Sequence, residues 1–194
     1  RQGYRIRAYW KIFARWLKKD IKLSYNVLIT GGAGFIGSAT ISSLLNSGYK
    51  VTVYDTIRYN PQVLIPYFTN KNFNFVKGDI LDKKLLGQAV KDKDVVIHLA
   101  ALAGFPICNK YPQLTKEINV KGTKNLIDVL SKEQLLLYSS TQSNYGKIEG
   151  LTCDETTPLK PTSLYGKTKT ESEKLCMQRE NSISYRFATA FGVS

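Results

Sequence analysis

From Asn26 onward, short apolar runs alternate with stretches whose apolar residues recur at helical spacing. The runs fall at 26–30, 50–54, 73–77, 94–99, 134–139 and 183–187. They are continuous (VTVY, VVIHL, LLLYS) rather than alternating apolar and polar. Strands covered on both faces read that way, because neither face meets water. The helical stretches lie near 35–47, 60–69, 82–90, 112–131 and 162–180. Gly48 closes the first as a C′ glycine, and Asp82 is placed to cap the third. Buried strands alternating with helices predict an α/β fold, a doubly wound parallel sheet. The longest stretch with neither pattern is about 144–160 (NYGKIEGLTCDETTPLK). In an open α/β sheet, a long loop at the C-terminal end of a strand borders the site.

The first strand breaks into TGGAGFIG (30–37), with glycines at 31, 34 and 37. A glycine triplet between a strand and a helix suits a phosphate cradle. Gly31 permits the tight turn, Gly34 lets the backbone approach a pyrophosphate, and Gly37 lets the helix pack against the sheet. The helix N-terminus adds free N–H groups and a partial positive charge. Asp55 ends the second strand, 24 residues after Gly31. A carboxylate there accepts hydrogen bonds from ribose hydroxyls and repels a 2′-phosphate, which favours NAD over NADP. Arg58 pulls the other way, and the plain alternative for Asp55 is a turn residue. Asp79, in VKGDILD, is placed either to bond an adenine amino group or to cap a turn.

Tyr165 and Lys169 stand at i and i+4 in SLYGKTKTE, so a helix puts them on one face. A free tyrosine titrates near 10. A neighbouring ammonium favours its phenolate, which can then take a proton from a hydroxyl while hydride leaves the same carbon. Thr141 lies just past the fifth strand, where its hydroxyl can orient the reacting oxygen. Each has an ordinary counterpart: a surface tyrosine followed by solubilising lysines, and a polar residue at a strand end. His98, inside VVIHLAA, reads as a satisfied core histidine rather than a base. Ala100 and Ala101 after it leave room for a cofactor ribose.

Composition changes little of this. The 194 residues suffice for one domain with a full core, and 43% apolar with 22% charged residues is ordinary for a soluble globular chain. Three scattered cysteines and one histidine argue against a structural zinc site and fit reduced thiols in a cytoplasm. The net charge of +13 invites a nucleic-acid reading, but residues 1–25 hold eight Lys/Arg against one acid, more than half of the excess. The remainder is spread as lysines on helix faces, so no nucleic-acid partner is expected. Residues 1–25 differ from the rest. Ile6, Tyr9, Trp10, Phe13, Trp16 and Leu17 recur at helical spacing among basic residues. Three readings stay open: a basic amphipathic helix on an anionic membrane surface, a docked helix, or sequence foreign to the domain at 26–194.

Taken together, TGGAGFIG (30–37), YD (54–55), GDI (78–80), VIHLAA (96–101), INVKGT (118–123), YSSTQSNYG (138–146) and YGKTK (165–169) resemble the blocks of the extended short-chain dehydrogenases/reductases, in order. The likeness is to the NAD-dependent epimerase/dehydratase group that acts on nucleotide sugars. It implies a Rossmann-type sheet and an NAD cofactor. Gly31, Gly34, Phe35, Ile36 and Gly37 would cradle the pyrophosphate, and Asp55 would hold the ribose. Asp79 and Ile80 would meet the adenine, Leu99, Ala100 and Ala101 would line the cofactor, and Asn119, in the central helix near the site, would join the cofactor-binding residues. Tyr165 would be the base, Lys169 its partner and a ribose ligand, and Thr141 the hydroxyl helper.

The resemblance further implies a nucleotide-sugar substrate and a homodimer, and the reduced thiols a cytoplasmic location. Sugar 4,6-dehydratases of the group carry Asp-Glu directly after the Thr; here Gln142 and Ser143 stand there, which favours epimerisation. Dehydratase, oxidoreductase and non-catalytic NAD(P)-sensing readings are the alternatives. Thr189 falls where the group often has an Asn that contacts substrate. The chain reads as the cofactor half, with most of the C-terminal substrate domain missing and catalysis by the fragment itself in doubt.

Overall fold

The computed structural model describes residues 24–59, 61–147, 150 and 152–190. The basic segment singled out at 1–25 therefore lies outside the described residues except for Ser24 and Tyr25. The elements run β1 (Asn26–Thr30), α1 (Phe35–Asn46), β2 (Lys50–Asp55), a 3-10 helix (Pro61–Tyr67), β3 (Phe73–Lys77), α2 (Lys83–Val90) and β4 (Val95–His98). Then come α3 (Phe105–Lys110), α4 (Pro112–Lys116), a π-helical turn (Glu117–Gly122), α5 (Thr123–Val129), β5 (Leu135–Thr141), a 3-10 turn (Gln142–Asn144), α6 (Leu164–Cys176) and β6 (Ser182–Phe187).

The six strands form one sheet in the order β3-β2-β1-β4-β5-β6, with every pair parallel. The chain builds outward from β1 to β3, then crosses back to β4. That reversal opens a crevice at the C-terminal ends of β1 and β4, where doubly wound folds place a ligand. The expected class is the observed one.

Each face of the sheet buries its own core. Along β1, Val27 and Ile29 pack with Ile41 and Leu45 of α1 and with Val51 and Val53 of β2. Leu28 points the other way, toward Leu86 of α2, Val96, Leu126 of α5, Leu136 and Tyr138. The period of two carries apolar side chains to both faces, which is why the runs read as continuous. Each such Leu, Ile or Val contributes roughly 1.5–3 kcal/mol by burial.

Three elements depart from expectation. The helix predicted over 60–69 is a 3-10 helix with Pro66 inside it. Proline has no N–H and its ring crowds the carbonyl four residues back, so the α-helical ladder fails. The stretch predicted as a uniform helix over 112–131 carries a π turn at Glu117–Gly122. The last helix is shorter than 162–180. Ser163 caps its start by accepting from Gly166 N–H at 3.0 Å. Its last turn is met by Ser182, whose hydroxyl donates to the Cys176 carbonyl at 2.7 Å. Asp82 does cap α2, accepting from Leu85 N–H at 3.0 Å.

Candidate functional site

The turn from β1 into α1 is shaped by what its glycines lack. Gly31 has φ +73°, and a Cβ there would lie 2.5 Å from the Ala100 nitrogen on the neighbouring β4 end. A side chain is excluded by both conformation and space. A Cβ at Gly37 would sit 2.6 Å from Gly32 Cα, so this glycine closes the loop on itself. The expected contact with the sheet belongs to Gly32, whose added Cβ would strike the Val53 side chain at 2.8 Å.

Helix α1 has Gly34 as N-cap, no side-chain cap and no acid in its first turn. The N–H groups of Phe35, Ile36 and Gly37 have no partner within the helix, and the positive end of its dipole faces the crevice uncompensated. This is a cradle built to receive an anion, and it fits a pyrophosphate.

A cleft of about 540 Å³ runs from this cradle across the sheet. Asp55, Asp79 and Ile80 stand at one end, and Leu99, Ala100 and Ala101 form a wall. Tyr165 and Lys169 lie at the other end. Thirteen of the fifteen residues singled out above thus line one cavity, with Thr141 and Asn119 the exceptions.

Asp55 serves the loop as well as the cleft. Its two oxygens accept from Ala33 N–H at 3.0 Å and from Ile57 N–H at 2.7 Å. A carboxylate has about four acceptor positions, so capacity remains for hydroxyls. The turn role and the open acceptor coexist. Asp79 likewise closes a turn, accepting from Leu81 N–H at 2.9 Å. Its carbonyl accepts from the Tyr54 hydroxyl at 2.8 Å. Tyr54 also lies over Gly78, where any Cβ would collide with its ring. Arg58 and Tyr59 border the Asp55 end of the cleft.

Asn119 does not line the cavity, and its expected place there is corrected. It is 1% exposed, and its amide spends itself on the protein. Its Oδ1 accepts from Leu102 N–H at 2.7 Å, and its Nδ2 donates to the Leu102 carbonyl and the Thr168 hydroxyl, each at 3.1 Å. The π turn presents it to the wall after β4 and to α6 at once. It positions both and touches no open space.

His98 is a satisfied core residue, as the sequence suggested. Thr123 donates its hydroxyl proton to the Asn119 carbonyl at 2.6 Å, so His98 Nε2–H donates to Thr123 Oγ1 at 3.0 Å. Nδ1 is then the acceptor for the Thr30 hydroxyl at 2.6 Å. Burial, helped by the Lys169 charge, pushes the imidazole down to about 3 and keeps it neutral.

Tyr165 and Lys169 share a face of α6, as their spacing requires. Thr141, at the end of β5, is placed near enough to the Tyr165 hydroxyl to favour its ionised form. The Thr141 oxygen also accepts from Ser143 N–H at 3.1 Å, which holds it in the following 3-10 turn.

The electrostatics differ from the expected pair. Burial raises the Tyr165 phenol above its ordinary value, and the nearby Cys108 adds to this; only the neighbouring Thr141 hydroxyl acts downward. The Lys169 ammonium lies instead over the Tyr138 ring, 4.2 Å from its centroid. Burial lowers Lys169 to about 7, against the opposing effects of Cys176 and Glu173. Near neutrality, Lys169 is therefore poised between its two protonation states.

Ser139 and Ile107 also line the cleft and were not foreseen. Ser139 carried a signal, standing two residues before Thr141 on the same strand. Ile107 carried none, since α3 has only six residues and its pattern is too short to read. Thr189 is exposed beyond β6. The three cysteines are unpaired, and the described residues contain no metal-binding cluster and no helix long and apolar enough to cross a membrane.

Known proteins are similar to this chain. A UDP-glucose 4-epimerase of Oryza sativa subsp. japonica is 34% identical over 160 residues, covering 77% of this chain and 39% of the relative. A dTDP-glucose 4,6-dehydratase of Streptomyces niveus is 32% identical over 161 residues, covering 78% and 48%. The chain thus spans less than half the length of these curated relatives.

Among solved structures, UDP-glucose 4-epimerase from Brucella ovis in complex with NAD superposes with TM-score 0.71 at 33% identity. That match covers 79% of this chain and 47% of the other. A dTDP-glucose 4,6-dehydratase from Streptomyces venezuelae with NAD and TYD bound gives 0.75 at 31%, covering 79% and 51%. Residues 27–193 match the family described as NAD dependent epimerase/dehydratase. The chain belongs to the NAD dependent epimerase/dehydratase family.

Proposed function

We propose that this chain is the cofactor and proton-transfer half of an NAD-dependent nucleoside-diphosphate-sugar epimerase. The N–H groups at the start of α1 would hold the pyrophosphate, and Asp55 would accept from a ribose. Leu99, Ala100 and Ala101 would flank the cofactor, and Lys169 would reach its second ribose. Bound NAD would supply the hydride acceptor, a positive charge that favours the Tyr165 phenolate, and the donor for the return of the same hydride.

The protein's part is proton handling. Tyr165 Oη takes the proton of a sugar hydroxyl and later gives it back. The Thr141 hydroxyl, near that phenol, would share the reacting oxygen and fix its direction. A phenol raised by burial is a poor base, so the positive charges of Lys169 and of the bound ring are needed to favour phenolate in the loaded site. Burial also keeps water from the transferring proton.

The observation that carries epimerase over dehydratase is the pair that follows Thr141. Gln142 and Ser143 are exposed and neither bears a carboxyl, so an acid to drive loss of water is lacking there. A dehydratase is the second reading, favoured by relatives of that activity at nearly equal identity, 32% against 34%.

The test uses the full-length protein and a panel of nucleotide sugars without added cofactor, with products followed by proton NMR. A new epimer with no net NADH supports the proposal. A deoxy-keto sugar moves the assignment to dehydratase. Net consumption of NAD(H) moves it to an oxidoreductase, and NAD binding without turnover moves it to a sensor.

A further inference from the structure

Glu173 stands one turn beyond Lys169 and two beyond Tyr165 on the same face of α6. It is 6% exposed, and its carboxylate is bound from three other elements. Arg186 of β6 donates from Nε at 3.0 and 3.2 Å and from Nη2 at 2.6 Å. Asn144, closing the 3-10 turn, donates to Oε2 and to Ser140 Oγ, each at 2.9 Å. Ser140 of β5 donates its hydroxyl proton to the same Oε2.

These partners surround Thr141. Ser140 precedes it, Asn144 ends the turn that it caps, and Arg186 pairs with Ser140 in the β5–β6 register. The network reaches further. Arg186 Nη1 donates to the Tyr145 hydroxyl at 2.9 Å, and that hydroxyl donates to the Asp154 carbonyl at 2.9 Å.

Stability alone does not call for this arrangement. A buried ion pair returns little net stability after desolvation, and apolar residues of similar size hold a core as well. What it supplies is direction: one carboxylate joins a helix, two strands and a turn at fixed angles. We infer that the Glu173–Arg186 pair is a positioning device that sets the Thr141 hydroxyl relative to the Tyr165 phenol by tying the strand end bearing one to the helix bearing the other. This rests on the proposed proton-transfer role of those two groups. A misplacement of about 1 Å at a reacting centre can lower a rate by about 100-fold, so small play in the tie is read out strongly.

The experiment compares the full-length protein with Glu173→Gln and with the double variant Glu173→Met/Arg186→Leu, which leaves no orphan charge if the single variant fails to fold. Each is also made with Thr141→Ala. The expected result is a folded protein that binds NAD within about twofold of the parent, with the sugar KM little changed and kcat lower by roughly 10–100-fold. In the Thr141→Ala background the same changes cost little more, because their effect passes through Thr141.

An unchanged kcat, or a loss that multiplies in full with that of Thr141→Ala, overturns the inference. If the parent turns over no sugar nucleotide, the proposed function fails instead. The tie is then judged by hydrogen exchange at the Ser143 amide, which Thr141 Oγ1 holds. Faster exchange in the variants supports it, and unchanged exchange overturns it.

Discussion

The two ends of the cleft are made by different means. The cradle between β1 and α1 is made of backbone: glycines where Cβ atoms would collide, bare N–H groups, and an apolar core of Val27, Ile29, Ile41 and Val53 beneath. The end around β5, α6 and β6 is made of buried polar side chains. Among the described residues, twelve of the fifteen buried polar or charged residues lie at or beyond Thr115. A phosphate needs only a fixed arc of N–H groups, which the chain supplies without side chains. Proton transfer needs hydroxyl, phenol and ammonium groups at set distances, and these must be held by further polar groups that themselves need partners. The first end is set by backbone with no room for a Cβ at Gly31, Gly32 or Gly37, whereas the second is set by hydrogen bonds between side chains.

The sharpest break of that contrast is at Gly37. Gly37→Val drives its Cβ into Gly32, whose own position is fixed against Val53. Backbone has no rotamer with which to yield, so the expected loss exceeds about 4 kcal/mol, enough to unfold many domains of this size. Denaturant unfolding measures it. A loss below about 1 kcal/mol would show that the loop can move and that the cradle is not set by backbone contact.

Tyr165→Phe is the counterpart at the other end. It removes one oxygen and no packing. Turnover in the full-length protein is expected to fall by about 10²–10⁴, with NAD affinity and melting temperature nearly unchanged. Near-normal turnover would remove Tyr165 from proton transfer.

The same contrast explains what could be read in advance. Strands and cradle were legible because their signals are local: an apolar run, a glycine spacing, an acid at a strand end. The segment KTKTESEK of α6 reads as a solvated face, yet Thr168, Lys169, Thr170, Ser172 and Glu173 are all buried. Except for Thr170, which bonds the Gly166 carbonyl, each also meets a group far along the chain; Glu173 meets Asn144, 29 positions away. Asn119 was read into the cleft because its neighbourhood resembles the family's. The π turn that gives it over to Leu102 and Thr168 leaves no trace in residue spacing. Pro66 is visible in the sequence, and its missing N–H is what makes the 60–69 stretch a 3-10 helix.

A smaller effect is expected at Asp55, where the two modes of construction meet. Asp55→Asn keeps one acceptor oxygen but loses the charge, and its amide must turn an N–H toward either Ala33 N–H or Ile57 N–H. NAD affinity should fall roughly tenfold, about 1.4 kcal/mol, while NADP affinity falls less or rises. Isothermal titration with both cofactors decides this. An equal loss for the two would leave Asp55 as a loop brace alone.

The last expected effect, on stability, has the opposite sign, and it separates the two ends most cleanly. Lys169 titrates near 10.5 in the unfolded chain and at about 7 in the fold, because burial disfavours its charge. Between those values the unfolded state holds the extra proton, so stability rises with pH across that window and the burial penalty is complete below it. Lys169→Met removes the charge and keeps the stem's volume. It should therefore raise the melting temperature at pH 6.5 by several degrees, at roughly 2–4 °C per kcal/mol for a chain of this length, with the gain shrinking steadily toward pH 10.5. The same substitution should abolish turnover in the full-length protein. A gain of equal size at every pH would mean that the charge is not what burial penalises. A loss at pH 6.5 would mean that the contact with the Tyr138 ring, at 4.2 Å, outweighs desolvation. In the cradle, substitution is expected to cost fold and binding together. At Lys169 the fold is expected to improve as the chemistry is lost, which is the mark of a group held in place against the stability of its own surroundings.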